Sequence, residues 1–89
     1  MEKTMNKRVG FIGIIIENRE NDVKTVNSLL SEYSEIIVAR LGVPYKKRGC
    51  FVITLVVDST TNALGALTGK LGAIPSVKVK SALSRTGEK

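Results

Sequence analysis

Residues 9–17 read Val9-Gly10-Phe11-Ile12-Gly13-Ile14-Ile15-Ile16-Glu17, and residues 50–58 read Cys50-Phe51-Val52-Ile53-Thr54-Leu55-Val56-Val57-Asp58. Both runs are short, apolar, and rich in β-branched and aromatic side chains. They end in polar turn residues, the pattern of buried strands rather than of helices. Working outward from the first, Asn18-Arg19-Glu20-Asn21 forms a turn-and-cap cluster. Val23, Val26, Leu29, Leu30 and Tyr33 then recur at three- and four-residue steps, which predicts an amphipathic helix over 22–33. Ile36 to Leu41 reads as a second strand ending at Gly42 and Pro44, and Tyr45-Lys46-Lys47-Arg48-Gly49 as a solvated hairpin loop. After the 50–58 strand, Asp58-Ser59-Thr60-Thr61 offers several N-cap candidates, of which Asp58 is the simplest. A second helix over about 61–71 uses Leu64, Leu67 and Leu71, with Gly72 as its C-cap and Pro75 just beyond. Residues 77–83 form the last strand.

The order strand, helix, strand, strand, helix, strand is the split βαβ, ferredoxin-like pattern, an α+β class. Right-handed crossovers place strands 1 and 3 at the centre of a four-stranded antiparallel sheet with both helices on one face. Lys78 and Lys80 on the last strand suit an edge, where charge discourages stray pairing. A single domain over 9–83 is expected, between flexible tails at 1–8 and 84–89.

With the helices on one face, the other face of the sheet is expected to turn polar. It does not. Phe11 and Ile15 point one way and Ile12, Ile14 and Ile16 the other, while Phe51, Ile53, Leu55 and Val57 oppose Val52, Thr54 and Val56. Monomers rarely leave such a patch open. Self-association through the helix-free face is therefore predicted, most simply as a twofold dimer. Phe11, Ile12, Ile14, Phe51, Ile53 and Leu55 are its candidate interface residues.

Composition narrows the chemistry. The 89 residues are 43% hydrophobic and 25% charged, which argues for a folded chain. There is no His, so the usual general base, the His-containing dyads and every His-ligated metal site are excluded. One cysteine, Cys50, cannot form an internal disulfide and suits a reducing, cytoplasmic setting; it reads as a small hydrophobe. The longest apolar run, Val9 to Ile16, is far shorter than the roughly 20 residues of a membrane helix. Glu17, Glu20, Asp22, Glu32, Glu35 and Asp58 form no pair with catalytic spacing. No enzyme, metal or cofactor is expected.

Two glycine patterns invite other readings. Gly65-Ala66-Leu67-Thr68-Gly69-Lys70-Leu71 falls short of a phosphate loop in its spacing and lacks the Ser or Thr after the Lys. Gly65, Gly69 and Gly72 instead suggest a helix packed closely on the sheet. Gly10 and Gly13 mark a bulge or a close backbone approach. An acylphosphatase-like loop after Gly13 is replaced by Ile14, Ile15 and Ile16.

The net charge of +6 divides into +2 over residues 1–8, +3 over 9–81 and +1 over 82–89, so half lies near the ends. Tyr45, Lys46, Lys47 and Arg48 on the hairpin, with Lys78 and Lys80 on the edge strand, are candidates for contact with a partner or with phosphates. Direct nucleic-acid binding is the alternative function. With only 4% aromatics the central strands cannot stack bases as an RNA-recognition sheet does.

The stretches RVGFIGIIIENRE (8–20), IIVARLGVPYKKRG (36–49) and VVDSTTNALGALTGKLGAIPSVKVKSA (56–82) resemble the small family of iron-only hydrogenase system regulators. Arg40, Gly42, Pro44 and Tyr45 carry the resemblance, as do Leu67 to Gly72, Val77 and Lys80; it covers residues 7–83. It implies an ACT-like fold similar to the C-terminal sensor domain of the nickel-responsive repressor, assembly as a dimer or a tetramer through the sheet, and a regulatory role in the hydrogenase system, expressed as transcription regulation. The repressor's nickel site needs His, which this chain lacks, and residues 1–8 are too few for its ribbon-helix-helix. The resemblance also implies a small effector where the first strand-to-helix loop meets a neighbour, with Asn18, Arg19, Asn21 and Arg40 as its candidate contacts.

Overall fold

A computed structural model describes residues 7–17 and 20–85. Its elements run β1 (Arg8–Glu17), α1 (Glu20–Glu32), β2 (Ile37–Tyr45), β3 (Cys50–Ser59), α2 (Thr61–Gly72) and β4 (Val77–Leu83). Short 3-10 turns at Ser34–Ile36 and Lys46–Arg48 precede β2 and β3. The four strands form one antiparallel sheet in the order β2-β3-β1-β4. The α+β ferredoxin-like arrangement expected from the pattern is therefore the fold, and the two most apolar segments are its central strands. Most of the expected tails, residues 1–6 and 86–89, lie outside the described residues.

Ile12, Ile14 and Ile16 of β1 and Ile53, Leu55 and Val57 of β3 are all buried. Val26 and Leu30 from α1 and Leu64, Leu67 and Leu71 from α2 close over them, with Ile74 and Val77 completing the core. Burying each such side chain stabilises the fold by about 1.5–3 kcal/mol before chain entropy is counted.

Several boundaries differ from the sequence reading. β2 continues through Gly42 and Pro44 to Tyr45. On an edge strand a proline's missing N–H costs nothing if it faces outward, so the strand need not stop there. The hairpin shrinks to Lys46–Arg48 and closes on Gly49 at φ 65°, a left-handed conformation that suits glycine. Of the four cap candidates, Thr60 rather than Asp58 caps α2: its hydroxyl accepts from the Ala63 N–H at 3.1 Å. Gly72 is still helical and Ala73 is the C-cap.

The glycine readings also divide. A Cβ on Gly10 would lie 2.1 Å from the Ala82 carbonyl oxygen, so close approach of β1 and β4 demands glycine there. Gly65 and Gly69 have nothing within 4 Å of an added Cβ and face outward. The expected close packing of this glycine stripe on the sheet is not what these two do.

Candidate functional site

The residues of the uncovered sheet face follow from parity and register. Val9, Phe11, Gly13 and Ile15 of β1 oppose Asp58, Val56, Thr54 and Val52 of β3. Beyond β3 lie Ala39, Leu41 and Val43 of β2, and beyond β1 lie Ala82, Lys80 and Lys78 of β4. Phe11 is 53% exposed, Val9 56% and Leu41 64%, with Ile15, Val43 and Val56 exposed beside them. The centre of this face is therefore apolar. Charged groups sit at its margins: Glu17 and Asp58 toward the two ends of the strands, and Lys78 and Lys80 along the β4 edge. A groove of about 320 Å³ runs beside Ala39, Arg40, Leu41, Thr54 and Val56.

This placement corrects the expected interface set. Ile12, Ile14, Ile53 and Leu55 have the opposite parity and lie buried beneath the helices, and Phe51 packs against that same core. Of the six, Phe11 alone belongs to the uncovered face.

A second feature lies at the hairpin end of the sheet. The first turn of α1 meets the β2–β3 turn around a cavity of about 210 Å³ lined by Glu20, Val23, Pro44, Lys46, Gly49, Cys50 and Phe51. Its lining is mostly apolar, with one acidic and one basic side chain. The start of α1 is held there by Ser76, whose hydroxyl donates to Asp22 Oδ2 at 2.5 Å and whose carbonyl accepts from the Glu17 N–H at 3.0 Å. Val23, Pro44, Cys50 and Phe51 were not expected at this place. Pro44 faces Phe51 across the hairpin, next to Cys50, and Val23 reaches them from α1, a segment far away in sequence.

Among the expected effector contacts, Asn18 and Arg19 lie outside the described residues. Asn21 is exposed in the first turn of α1, and its carbonyl accepts from the Thr25 hydroxyl at 3.0 Å. Arg40 donates to Asn27 Oδ1 at 2.9 Å. Asn27 lies about 9 Å along the helix from Asn21 at 1.5 Å per residue, so Asn21 and Arg40 do not converge. The basic candidates separate as well. Tyr45, Lys46, Lys47 and Arg48 are exposed at the β2–β3 turn, whereas Lys78 and Lys80 lie on the opposite edge of the sheet. Three strand spacings, about 14 Å, part the two edges. No group of three or more His, Cys, Asp or Glu side chains among the described residues is arranged to hold a metal ion. No helix among them is long and apolar enough to cross a membrane.

The family described as "TM1266-like: Iron-only hydrogenase system regulator, putative" matches residues 8–81. The chain belongs to the TM1266-like family. Uncharacterized protein TM1266 from Thermotoga maritima is 38% identical, with 89% of this chain and 99% of that one covered and a TM-score of 0.86. The ACT domain of GTP pyrophosphokinase from Chlorobium tepidum superimposes with a TM-score of 0.71 at 20% identity, over 85% of this chain and 99% of that one. A formyltetrahydrofolate deformylase from Pseudomonas putida gives 0.60 at 11% identity, over 83% of this chain and 28% of that one. The fold of this TM1266-like protein is thus ACT-like. No curated protein matches it.

Proposed function

We propose that this TM1266-like protein is a non-enzymatic regulatory module of the iron-only hydrogenase system that works as a homo-oligomer. Two copies close on each other's uncovered sheet face, and a small effector or a docked protein is read at the hairpin end. The exposed apolar centre of the sheet carries this reading. β1 and β3 are each ten residues long. At about 3.4 Å per residue and 4.8 Å per strand, the four-stranded face measures about 600 Å², or about 1,200 Å² for two copies. That reaches the lower end of stable, specific interfaces. An apolar centre with charged margins is also the anatomy of such interfaces. The cavity beside Glu20, Lys46 and Cys50 supplies a concave, mostly apolar place for a small ligand.

A thermal-shift screen of amino acids, nucleotides and metal ions tests the effector arm. At least one class is expected to raise the melting temperature in proportion to the logarithm of its concentration. No response from any class would move the reading to protein docking alone.

A further inference from the structure

Gly13 sits in the middle of a central strand, where glycine forgoes packing and costs about 0.5–1 kcal/mol against alanine. Nothing within one copy requires it. A Cβ on Gly13 would meet only the Lys80 carbonyl oxygen, at 4.0 Å, and the positive-φ glycine of the described residues is Gly49. Gly10 is the contrast, three residues earlier, where the β4 backbone excludes any side chain. What Gly13 leaves is a hollow on the uncovered face, with Phe11 and Ile15 on either side along β1 and Thr54 and Lys80 across the sheet. Phe11 projects from the same face between Val56 and Ala82.

We infer that the hollow over Gly13 receives Phe11 of a second copy, reciprocally. This rests on the reading that copies meet through the uncovered face. A twofold axis crossing β1 at Ile12, in the plane between the sheets and perpendicular to the strands, brings position 11 of each copy over position 13 of the other. Such an isologous contact uses one patch twice. The same operation sets Val9 over Ile15, Val56 over Thr54, Asp58 over Val52, Lys80 over Ala82 and Lys78 over Ser84, so the charged side chains stay at the margins and no like charges meet. Area alone does not select among ways of stacking two sheets; a knob and a hole at this separation select one.

The test is sedimentation equilibrium of the full chain beside its melting temperature. For the wild type, self-association is expected. Phe11→Ala and Gly13→Val are each expected to weaken it at least about tenfold, as truncated or blocked anchors do. Gly13→Ala, whose methyl has room within one copy, is the milder variant should valine disturb the fold. It is expected to weaken association about threefold or more without lowering the melting temperature. The exchange Phe11→Gly with Gly13→Phe is expected to restore association, because the axis pairs position 11 with position 13. Association unchanged in both Gly13 variants would overturn the hollow while leaving the sheet-face reading standing. A wild-type chain that does not associate would overturn both.

Discussion

The Ser76 hydroxyl donates to Asp22 Oδ2 at 2.5 Å, tying the α2–β4 connection to the first turn of α1 across 54 residues of sequence. Because the Ser76 carbonyl also accepts from the Glu17 N–H, one residue holds both the end of β1 and the start of α1. Ser76→Ala removes the side-chain bond and leaves the backbone one. A loss of about 1–2 kcal/mol is expected, a drop of about 1 M in the urea midpoint for a chain of this size. An unchanged midpoint would show that the bond does not hold the helix start.

Gly10→Ala is expected to cost at least about 2 kcal/mol, because the new methyl would overlap the Ala82 carbonyl and the β1–β4 backbones must part. Thermal or urea unfolding checks it against Gly13→Ala, which meets no such obstacle. Equal stability for the two variants would contradict the close approach of β1 and β4.

Gly65→Ala and Gly69→Ala should each stabilise the chain by up to about 1 kcal/mol, since both sites are helical and have open space around an added Cβ. Thr60→Ala acts in the opposite direction on the same helix. It leaves the Ala63 N–H without its cap and should cost about 1 kcal/mol. Chemical denaturation of the three variants gives both signs in one series. Destabilisation by either alanine would mean that the outer side of α2 is not open.

Lys70 Nζ lies 5.2 Å from the centroid of the Tyr33 ring, bridging α2 to the end of α1. Hydrogen bonding to Tyr33, reinforced by its charge, holds the Lys70 ammonium above its ordinary pKa; Glu32 adds in the same direction and desolvation opposes. Since the folded value is the raised one, the stabilising contribution is fully present below the ordinary lysine range. It disappears as the pH rises through the raised value, so it contributes no slope near neutrality. Tyr33→Leu is expected to return the Lys70 titration, followed by NMR at the side-chain carbon next to Nζ, toward ordinary lysine. A titration that does not move would remove Tyr33 as the cause.

Periodicity made the fold legible because the two kinds of spacing never competed. The 9–17 and 50–58 runs are too short and too branched for helices, and the leucines of α2 fall on one helical stripe. Gly42 and Pro44 misled as strand terminators because an edge strand tolerates both. The interface was only half legible. Alternation tells which residues share a face: Ile12 with Ile14, Phe11 with Ile15. It does not tell which face the helices cover when both are apolar, and the expected set mixed the two. Of the cavity, the hairpin alone brings Pro44 beside Cys50 and Phe51, but that Val23 of α1 joins them was not legible, because it depends on long-range packing.

A homo-oligomer of this kind requires that copies of the chain close over the exposed row of Val9, Phe11, Ile15, Leu41, Val43 and Val56. Multi-angle light scattering of the eluting full chain at micromolar concentration measures this without any variant. From a subunit of 9.6 kDa, a mass of twice that value or a higher multiple is predicted, falling toward one subunit on introduction of Val56→Glu. A single species at one subunit mass across the micromolar range would contradict it.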